Sequence, residues 1–434
     1  MFLVVDIILF VIALGLLVPI AVLFIECIAA LLPGRTESWV KSVPRPRVAV
    51  LVPAHNEAAG IGTTLETIFP ELTPQDRLVI IADNCTDDTA VIAKRCCEEW
   101  IARVHPKSEV VVLPNSGNAQ ELAPDEHPFG VIIAQRNDNN RKGKGYALDY
   151  GLREIEKDPP DVVVMIDADC IVESGAIERI AGVAASSVRP VQATYLMKPP
   201  LLNPKPTHSI SALAFMVKNL VRPRGLAQLH LPCLLTGSGM AFPWSVIASA
   251  PLASSNIVED MQLGIDLAIA GSPPVFCQDA EVIAFFAEKP RDDETSKQRW
   301  IHGYLMTLGK QSPRLLKSAV QQRRFDLLAL ALELCVLPLS LLVMIWVVVM
   351  GGALVVGTKG SSWIPAIVLA IEGFLIFISV IGAWAKFGQS YLSLLTLLSV
   401  PFYVLWKIPT FIAFLIKRQG GWIRGHRNAE TSES

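Results

Sequence analysis

Long apolar runs hold the two ends of this chain, and short ones alternate with polar stretches through its middle. Ile7 to Phe24 is uninterrupted, with Asp6 before it and Glu26 soon after. A bilayer core needs about 20 apolar residues of helix, so this run predicts one span within residues 1–34. A signal peptide would show a basic start and a small-residue cleavage site. Neither stands here, which favours an uncleaved anchor. Leu327 to Val356 and Trp363 to Trp384 are two more runs of spanning length. Tyr391 to Ile416 is divided by Pro401, Lys407 and Pro409, and reads as a further span or as an interfacial segment. Residues 325–418 are therefore expected to form a C-terminal membrane region, ahead of a basic then polar tail over 419–434. Arg35, Lys41, Arg45 and Arg47 follow the first run, which puts its downstream side in the cytoplasm by the positive-inside tendency. An interfacial final stretch keeps Lys417, Arg418, Arg424 and Arg427 on that same side.

Residues 45–320 carry a different rhythm. "RVAVLVPA", "RLVIIAD", "EVVVL", "GVIIAQ", "DVVVMID" and "VQATYLM" are short apolar strands, separated by helix-like stretches over Gly60–Phe69, Thr86–Trp100, Lys144–Glu156 and Ser174–Ala185. Unbroken apolar strands, unlike alternating ones, predict a parallel sheet with helices on both faces. The fold class is α/β, and in such folds ligands sit beyond the carboxyl ends of the strands.

Those ends carry the chemistry. The first strand runs into His55, Asn56 and Glu57, the second into Asp83, and the fifth into Asp167 and Asp169. Singly, each is an ordinary turn residue, because Asp and Asn bond their own backbone there. Together on one rim they form a polar site. Each of two neighbouring carboxylates raises the cost of ionising the other unless a cation compensates. "RKGKG" sets Lys144 at a helix start after a glycine-flanked turn, where an ammonium and backbone N–H groups can face phosphate. "NIVEDMQLGIDL" puts Glu259 and Asp260 ahead of an apolar helix face, a placement that capping alone would also explain.

Composition narrows the classes. The chain is 52% hydrophobic and 18% charged with a formal net charge of −2, which gives no argument for nucleic-acid binding. Its eight cysteines form no C-x-x-C pair, and adjacent Cys96 and Cys97 suit neither a zinc site nor a disulfide framework. Reduced thiols in a cytosolic domain are expected.

"VLVPAHNE", "ADNCTDDTA", "RKGKGYALD", "VVMIDADC" and "IVEDMQLGIDL" stand in the order found in family-2 glycosyltransferases of GT-A fold. Over residues 47–305 the chain resembles that family. With its flanking spans it is similar to the membrane-embedded synthases of cellulose, hyaluronan and chitin oligomers. The resemblance implies a GT-A domain inserted between transmembrane helices. It also implies a nucleotide-sugar donor, usually a UDP-sugar, and Mg2+ or Mn2+ on Asp169 and Asp167. Ala54, Glu57 and Asp83 would line the nucleotide pocket, with Asp83 toward the uracil, and Lys144 would face the diphosphate. Asp260 would be the general base of an inverting transfer, with Glu259 beside it. "LLTGSGMAF" would lay Gly237, Ser238 and Gly239 along the acceptor. Arg299 would meet the pyrophosphate and Trp300 would stack on an acceptor sugar.

Three features modify that picture. The processive synthases carry Q-x-x-R-W, and here Ser296 occupies the glutamine position, which bears on polymer length. Asn84 replaces a second aspartate beside Asp83. "HSISALAFMVKNLVRPRG" reads as an interfacial helix over 205–225, its Lys218, Arg222 and Arg224 toward headgroups, or as an ordinary packed helix. The expected product is an extracellular or capsular polysaccharide, made at the bacterial inner membrane and handed to export-complex proteins. One alternative is a single sugar moved to a membrane lipid. Another is a catalytically silent nucleotide-sugar-binding subunit of a secretion complex. A transporter is disfavoured by the few spans.

Overall fold

The computed structural model describes residues 2–33, 44–104, 109–113, 130–200, 206–286, 290–390 and 392–397. In chain order the helix α1 (Phe2–Leu31) precedes β1 (Val48–Ala54), α2 (Ile61–Ile68), β2 (Arg77–Asp83), α3 (Thr89–Val104), β3 (Val110–Leu113) and β4 (Gly130–Arg136). Next come α4 (Lys144–Glu154), β5 (Val162–Met165), β6 (Ile171–Val172), α5 (Ala176–Ser187) and β7 (Val191–Lys198). The helices α6 (Pro206–Met216) and α7 (Arg222–Gln228) lead to β8 (Met240–Pro243), α8 (Trp244–Ile247), α9 (Glu259–Ile269) and β9 (Val275–Phe285). The chain closes with α10 (Pro290–Gln322), α11 (Phe325–Cys335), α12 (Leu339–Thr358) and α13 (Ile364–Ala383). It divides into two compact units.

One unit holds residues 36–197 and 233–311 and is built on a nine-stranded sheet, ordered β3-β4-β2-β1-β5-β8-β7-β9-β6. The first five of these strands are parallel, as the unbroken apolar runs predict, with Val50 opposite Leu78 and Val164. Both faces are covered. Val48, Val50 and Val52 point into one core with α2, α3 and α5, while Ala49 and Leu51 point into another with α4 and α9. The antiparallel portion, β8 against β5 and β7, adds a feature that the sequence rhythm does not reveal. Since β1 leads to β2 on one side and pairs β5 on the other, the strand order reverses beside β1. In such sheets ligands bind at that reversal, beyond the carboxyl ends of the strands, here β1, β2 and β5.

The other unit holds residues 1–35, 198–232 and 312–424. Among the described residues, three of its helices are long and apolar enough to cross a membrane: Val4–Leu31, Leu339–Thr358 and Ile364–Gly388. The expected span from Leu327 to Val356 is broken, because α11 ends at Cys335 and α12 starts only after Pro338. Proline has no N–H to give and biases the residue before it away from helix. The expected segment Tyr391 to Ile416 and the basic tail fall mostly outside the described residues. Within 205–225 the arginines turn inward, unlike the interfacial reading. Arg222 pairs with Glu26 at 2.5 Å and donates to the Glu333 carbonyl at 2.9 Å. Arg224 donates to the Ala30 carbonyl at 2.9 Å, and Lys386 to that of Leu31 at 2.8 Å, so two cations close the carbonyl end of α1. A carboxylate on α1 compensates the buried charge that headgroups would otherwise have to meet.

Candidate active site

The strand ends are joined by short loops that bond each other. After β1, Asn56 adopts a left-handed φ of 56° and its side-chain oxygen accepts from the Thr86 N–H at 2.7 Å. The Glu57 N–H donates to Thr89 Oγ1 at 2.8 Å, and His55 Nδ1 lies 2.6 Å from the Asp83 carbonyl. Gly60 brings this loop against the two aspartates: a Cβ there would lie 3.7 Å from the Ala168 carbonyl and 3.8 Å from Asp169 Cα. Ala54 ends β1 and its carbonyl lies 3.5 Å from Cys85 Sγ.

Asp83 is the last residue of β2 and is 7% exposed. Its Oδ1 accepts from Arg136 Nη1 at 2.5 Å and from Asn84 Nδ2 at 2.9 Å. Arg136 ends β4 and is further fixed by the Arg141 carbonyl at 2.6 Å. Asn84 has a φ of 52° and its Oδ1 accepts from the Asp138 N–H at 2.9 Å. An aspartate at 84 could not donate to Asp83, so the amide suits this position.

β5 delivers the paired carboxylates. Its last N–H bonds continue to Ile166, which donates to the Leu51 carbonyl at 3.1 Å. The chain then turns, with the Cys170 N–H on the Asp167 carbonyl at 3.1 Å. Donor atoms of Asp167, Asp169 and Cys170 lie within 4.8 Å of one another. Burial, with the charges of Asp169 and Asp167 beside it, raises the Cys170 thiol far above its usual range, so it stays protonated. That leaves two carboxylates, a donor set that fits a hard divalent cation such as Mg2+ or Mn2+.

Lys144 draws distant parts together. It opens α4 behind Gly143, whose φ of 134° permits the turn. A Cβ on Gly145 would sit 2.6 Å from the Leu252 carbonyl, so this glycine lets residues 252–254 pack directly on the helix start. The Lys144 ammonium pairs closely with Asp167, donates to the Gly237 carbonyl at 2.7 Å and lies 3.8 Å from Glu259 Oε1. Burial opposes its charge, but Asp167, Glu259 and Asp260 outweigh that and hold the ammonium firmly protonated. Burial raises Asp167, with Lys144 opposing and Asp169 adding to the rise. Burial also pushes Glu259 up to about 8, against the pull of Lys144 and with Asp260 adding to it.

Glu259 and Asp260 form the first turn of α9. A Cβ on Gly237 would stand 3.2 Å from Asp260 Oδ2 and 3.7 Å from Lys144 Nζ. Asp260, Lys144 and Asp167 therefore meet at one place, although they lie on α9, α4 and the end of β5. Leu148, Leu252 and Leu263 line a narrow cleft with Glu259 and Asp260, which accounts for the half-buried state of the acidic pair.

In the loop 237–239, Ser238 and Gly239 pack inward. Ser238 is fully buried, its Oγ accepts from the Asp167 N–H at 3.0 Å, and its carbonyl accepts from Gln192 at 2.9 Å. Gly239 has a φ of 69°, and a Cβ there would meet Ala193 and Val282 side chains at 3.0 Å. Both residues support the site from beneath, because the close packing under β5 leaves them no outward face. Gln192, which the sequence did not single out, also accepts from the Thr236 N–H at 2.8 Å and so anchors both ends of this loop. Arg299 and Trp300 lie on α10, with Trp300 5.4 Å from the Tyr304 ring. Burial lowers the Arg299 pKa. One turn later, a Cβ on Gly303 would lie 3.0 Å from Ile257 Cβ, so this part of α10 rests on the residues just before Glu259. The side chain of Ser296 lies outside the described residues.

The profile of "glycosyltransferase like family 2" matches residues 94–303. The chain is 30% identical over 134 residues to the probable glycosyltransferase YdaM of Bacillus subtilis (strain 168), covering 30% of this chain and 25% of that protein. It thus spans about a quarter of that relative's length. Among solved structures, it is similar to the mannosyltransferase PcManGT from Pyrobaculum calidifontis in complex with GDP-Man and Mn2+. There the identity is 17%, covering 87% of this chain and 98% of that one, at a TM-score of 0.47. It is also similar to glucosyl-3-phosphoglycerate synthase from Mycobacterium tuberculosis with Mn2+, UDP and phosphoglyceric acid. That identity is 18%, covering 63% of this chain and 84% of that one, at a TM-score of 0.35.

Proposed function

We propose that the protein transfers sugar from a nucleotide-diphosphate sugar, a UDP-sugar in the first instance, with inversion at the anomeric carbon, a reading supported by the match of residues 94–303 to glycosyltransferase like family 2. The observation that carries this reading is the meeting of Asp260, Lys144 and Asp167 around Gly237. A base, a cation and a cation-binding carboxylate stand together at the strand ends.

In this reading Asp83 accepts the N3–H of uracil, held in place by Arg136 and Asn84, while Ala54 and Glu57 line the same pocket. Asp169 and Asp167 would hold a divalent cation, which would supply positive charge for the departing diphosphate. Lys144 keeps Asp167 oriented and adds a second positive charge on that side. The acceptor hydroxyl oxygen attacks the anomeric carbon from the face opposite the diphosphate. The bond from that carbon to the phosphate oxygen breaks, its electron pair leaves with the nucleotide, and Asp260 takes the hydroxyl proton. Glu259, held up toward protonation by burial, adds little negative charge beside Asp260. Arg299 meets diphosphate oxygens and Trp300 offers its face to an acceptor sugar.

The acceptor we propose is a growing extracellular or capsular polysaccharide, with the domain on the cytoplasmic side of a bacterial inner membrane and the product passed to export proteins. A membrane lipid receiving one sugar is the second reading, favoured by Ser296 where processive relatives carry glutamine. Purified full-length protein is incubated with a panel of nucleotide sugars and Mn2+, and the products are sized. A ladder supports the polymer, and a single lipid-linked sugar supports the second reading. Absence of nucleotide diphosphate release across the panel overturns both and revives the silent nucleotide-sugar-binding subunit.

A further inference from the structure

With Arg222 and Arg224 turned inward, the outward amphipathic surface of the spanning unit lies elsewhere, at the close of α10. Leu316 is 44% exposed, Val320 79% and Phe325 67%, while Leu315 and Ala319 beside them are buried. At about 100° per residue, Leu316 and Val320 form a stripe between that buried face and an edge bearing Arg314 and Lys317. Residues 312–325 contain Arg314, Lys317, Arg323 and Arg324 and no Asp or Glu. Arg324 turns to Asp326 at 3.1 Å, whereas Lys317 and Arg323 stand exposed. Arg323 ends the helix with a φ of 52°, a left-handed position that glycine usually fills. A cation kept there sits at the carbonyl end of α10, where the helix dipole favours positive charge.

We propose that residues 312–325 are a binding surface for an anionic lipid leaflet. Leu316, Val320 and Phe325 enter the acyl boundary, and Lys317 and Arg323 meet acidic headgroups. An exposed apolar stripe beside cations, with the nearest acid, Asp326, paired to Arg324, is the composition of a helix lying in a membrane interface. The same unit carries three helices able to span a bilayer among the described residues, so a leaflet is at hand. A second copy of the chain suits this face poorly, because its basic edges would oppose each other.

The test places a photoreactive residue on the surface of the full chain, Val320→p-benzoylphenylalanine. Its control is Val91→p-benzoylphenylalanine in the sheet unit, where Val91 is 66% exposed. Each protein is held at one chain per nanodisc of equimolar phosphatidylglycerol and phosphatidylcholine, irradiated, and its adducts are weighed by mass spectrometry. The expected result is lipid adducts at 320 and none at 91, with phosphatidylglycerol favoured about tenfold, the scale set by one or two basic groups at an anionic surface. Lys317→Glu with Arg323→Glu should bring that ratio near unity while lipid adducts persist. Equal labelling of the two lipids by the parent surface overturns the anionic selectivity. Lipid adducts at 320 no more frequent than at 91, or protein adducts instead, overturn the leaflet assignment itself.

Discussion

Lys144→Met probes the junction of the site, because one ammonium there serves Asp167, Glu259 and the Gly237 carbonyl. Since burial holds Glu259 toward protonation, the charge at stake is chiefly the close pair of Lys144 with Asp167. Loss of one partner from a fully buried pair costs about 3–5 kcal/mol, and the cost here is smaller because Lys144 and Asp167 are only half-buried. Proton uptake by Asp167, already raised by burial, recovers part of that. The apparent unfolding temperature of the detergent-solubilised protein should fall on the order of 10 °C. Tryptophan fluorescence during heating reads it. Added Mn2+ should restore the variant more than it stabilises the parent, because a divalent cation on Asp167 replaces the missing charge. Lys144→Arg should lose much less. A Met variant that unfolds with the parent, or equal stabilisation of both by Mn2+, would refute the role given to Lys144.

Two further outcomes follow from the same geometry. Gly237→Ala forces an L residue to a φ of 99° and sets a Cβ 3.2 Å from Asp260 Oδ2. With an ångström of misplacement worth up to ~100-fold, steady-state kinetics should show kcat down about tenfold at near-parental nucleotide affinity, and an unchanged kcat would sink this reading. Glu259 is protonated more readily in the fold than in the unfolded chain, from 4.5 to about 8. Its contribution is therefore complete below the unfolded value and is lost as pH rises through that window. Unfolding temperatures of the ligand-free protein should decline between pH 5 and pH 8, and Glu259→Gln should flatten the decline; parallel curves would count against it.

Much of the sheet unit was legible because its strands are buried on both faces. Val48 to Ala54 and Arg77 to Asp83 need no alternation to be recognised, and the carboxylates at their ends have few other reasons to cluster. The supporting groups were not. Arg136 reads in sequence as a solvated residue after a strand, and only pairing across β2 and β4 gives it Asp83. Gln192 reads as a polar position in a strand, although it fixes the loop beneath Asp167. The membrane end misled for a related reason. Arg222 and Arg224 are amphipathic by spacing, but their partners on α1 lie 196 and 194 residues away. Apolarity alone also carried Leu327 to Val356 through Pro338, where the backbone cannot continue as helix.

The central claim is that Asp260 takes the acceptor's proton at a site where donor binding does not depend on it. Asp260→Asn keeps the size and removes the basicity. Turnover and nucleotide binding are measured on the same preparation, with the nucleotide sugar that the panel identifies and with Mn2+. The account predicts nucleotide affinity within about twofold of the parent and transfer reduced by about 100-fold to 10,000-fold. Transfer at the parental rate in Asp260→Asn would contradict it.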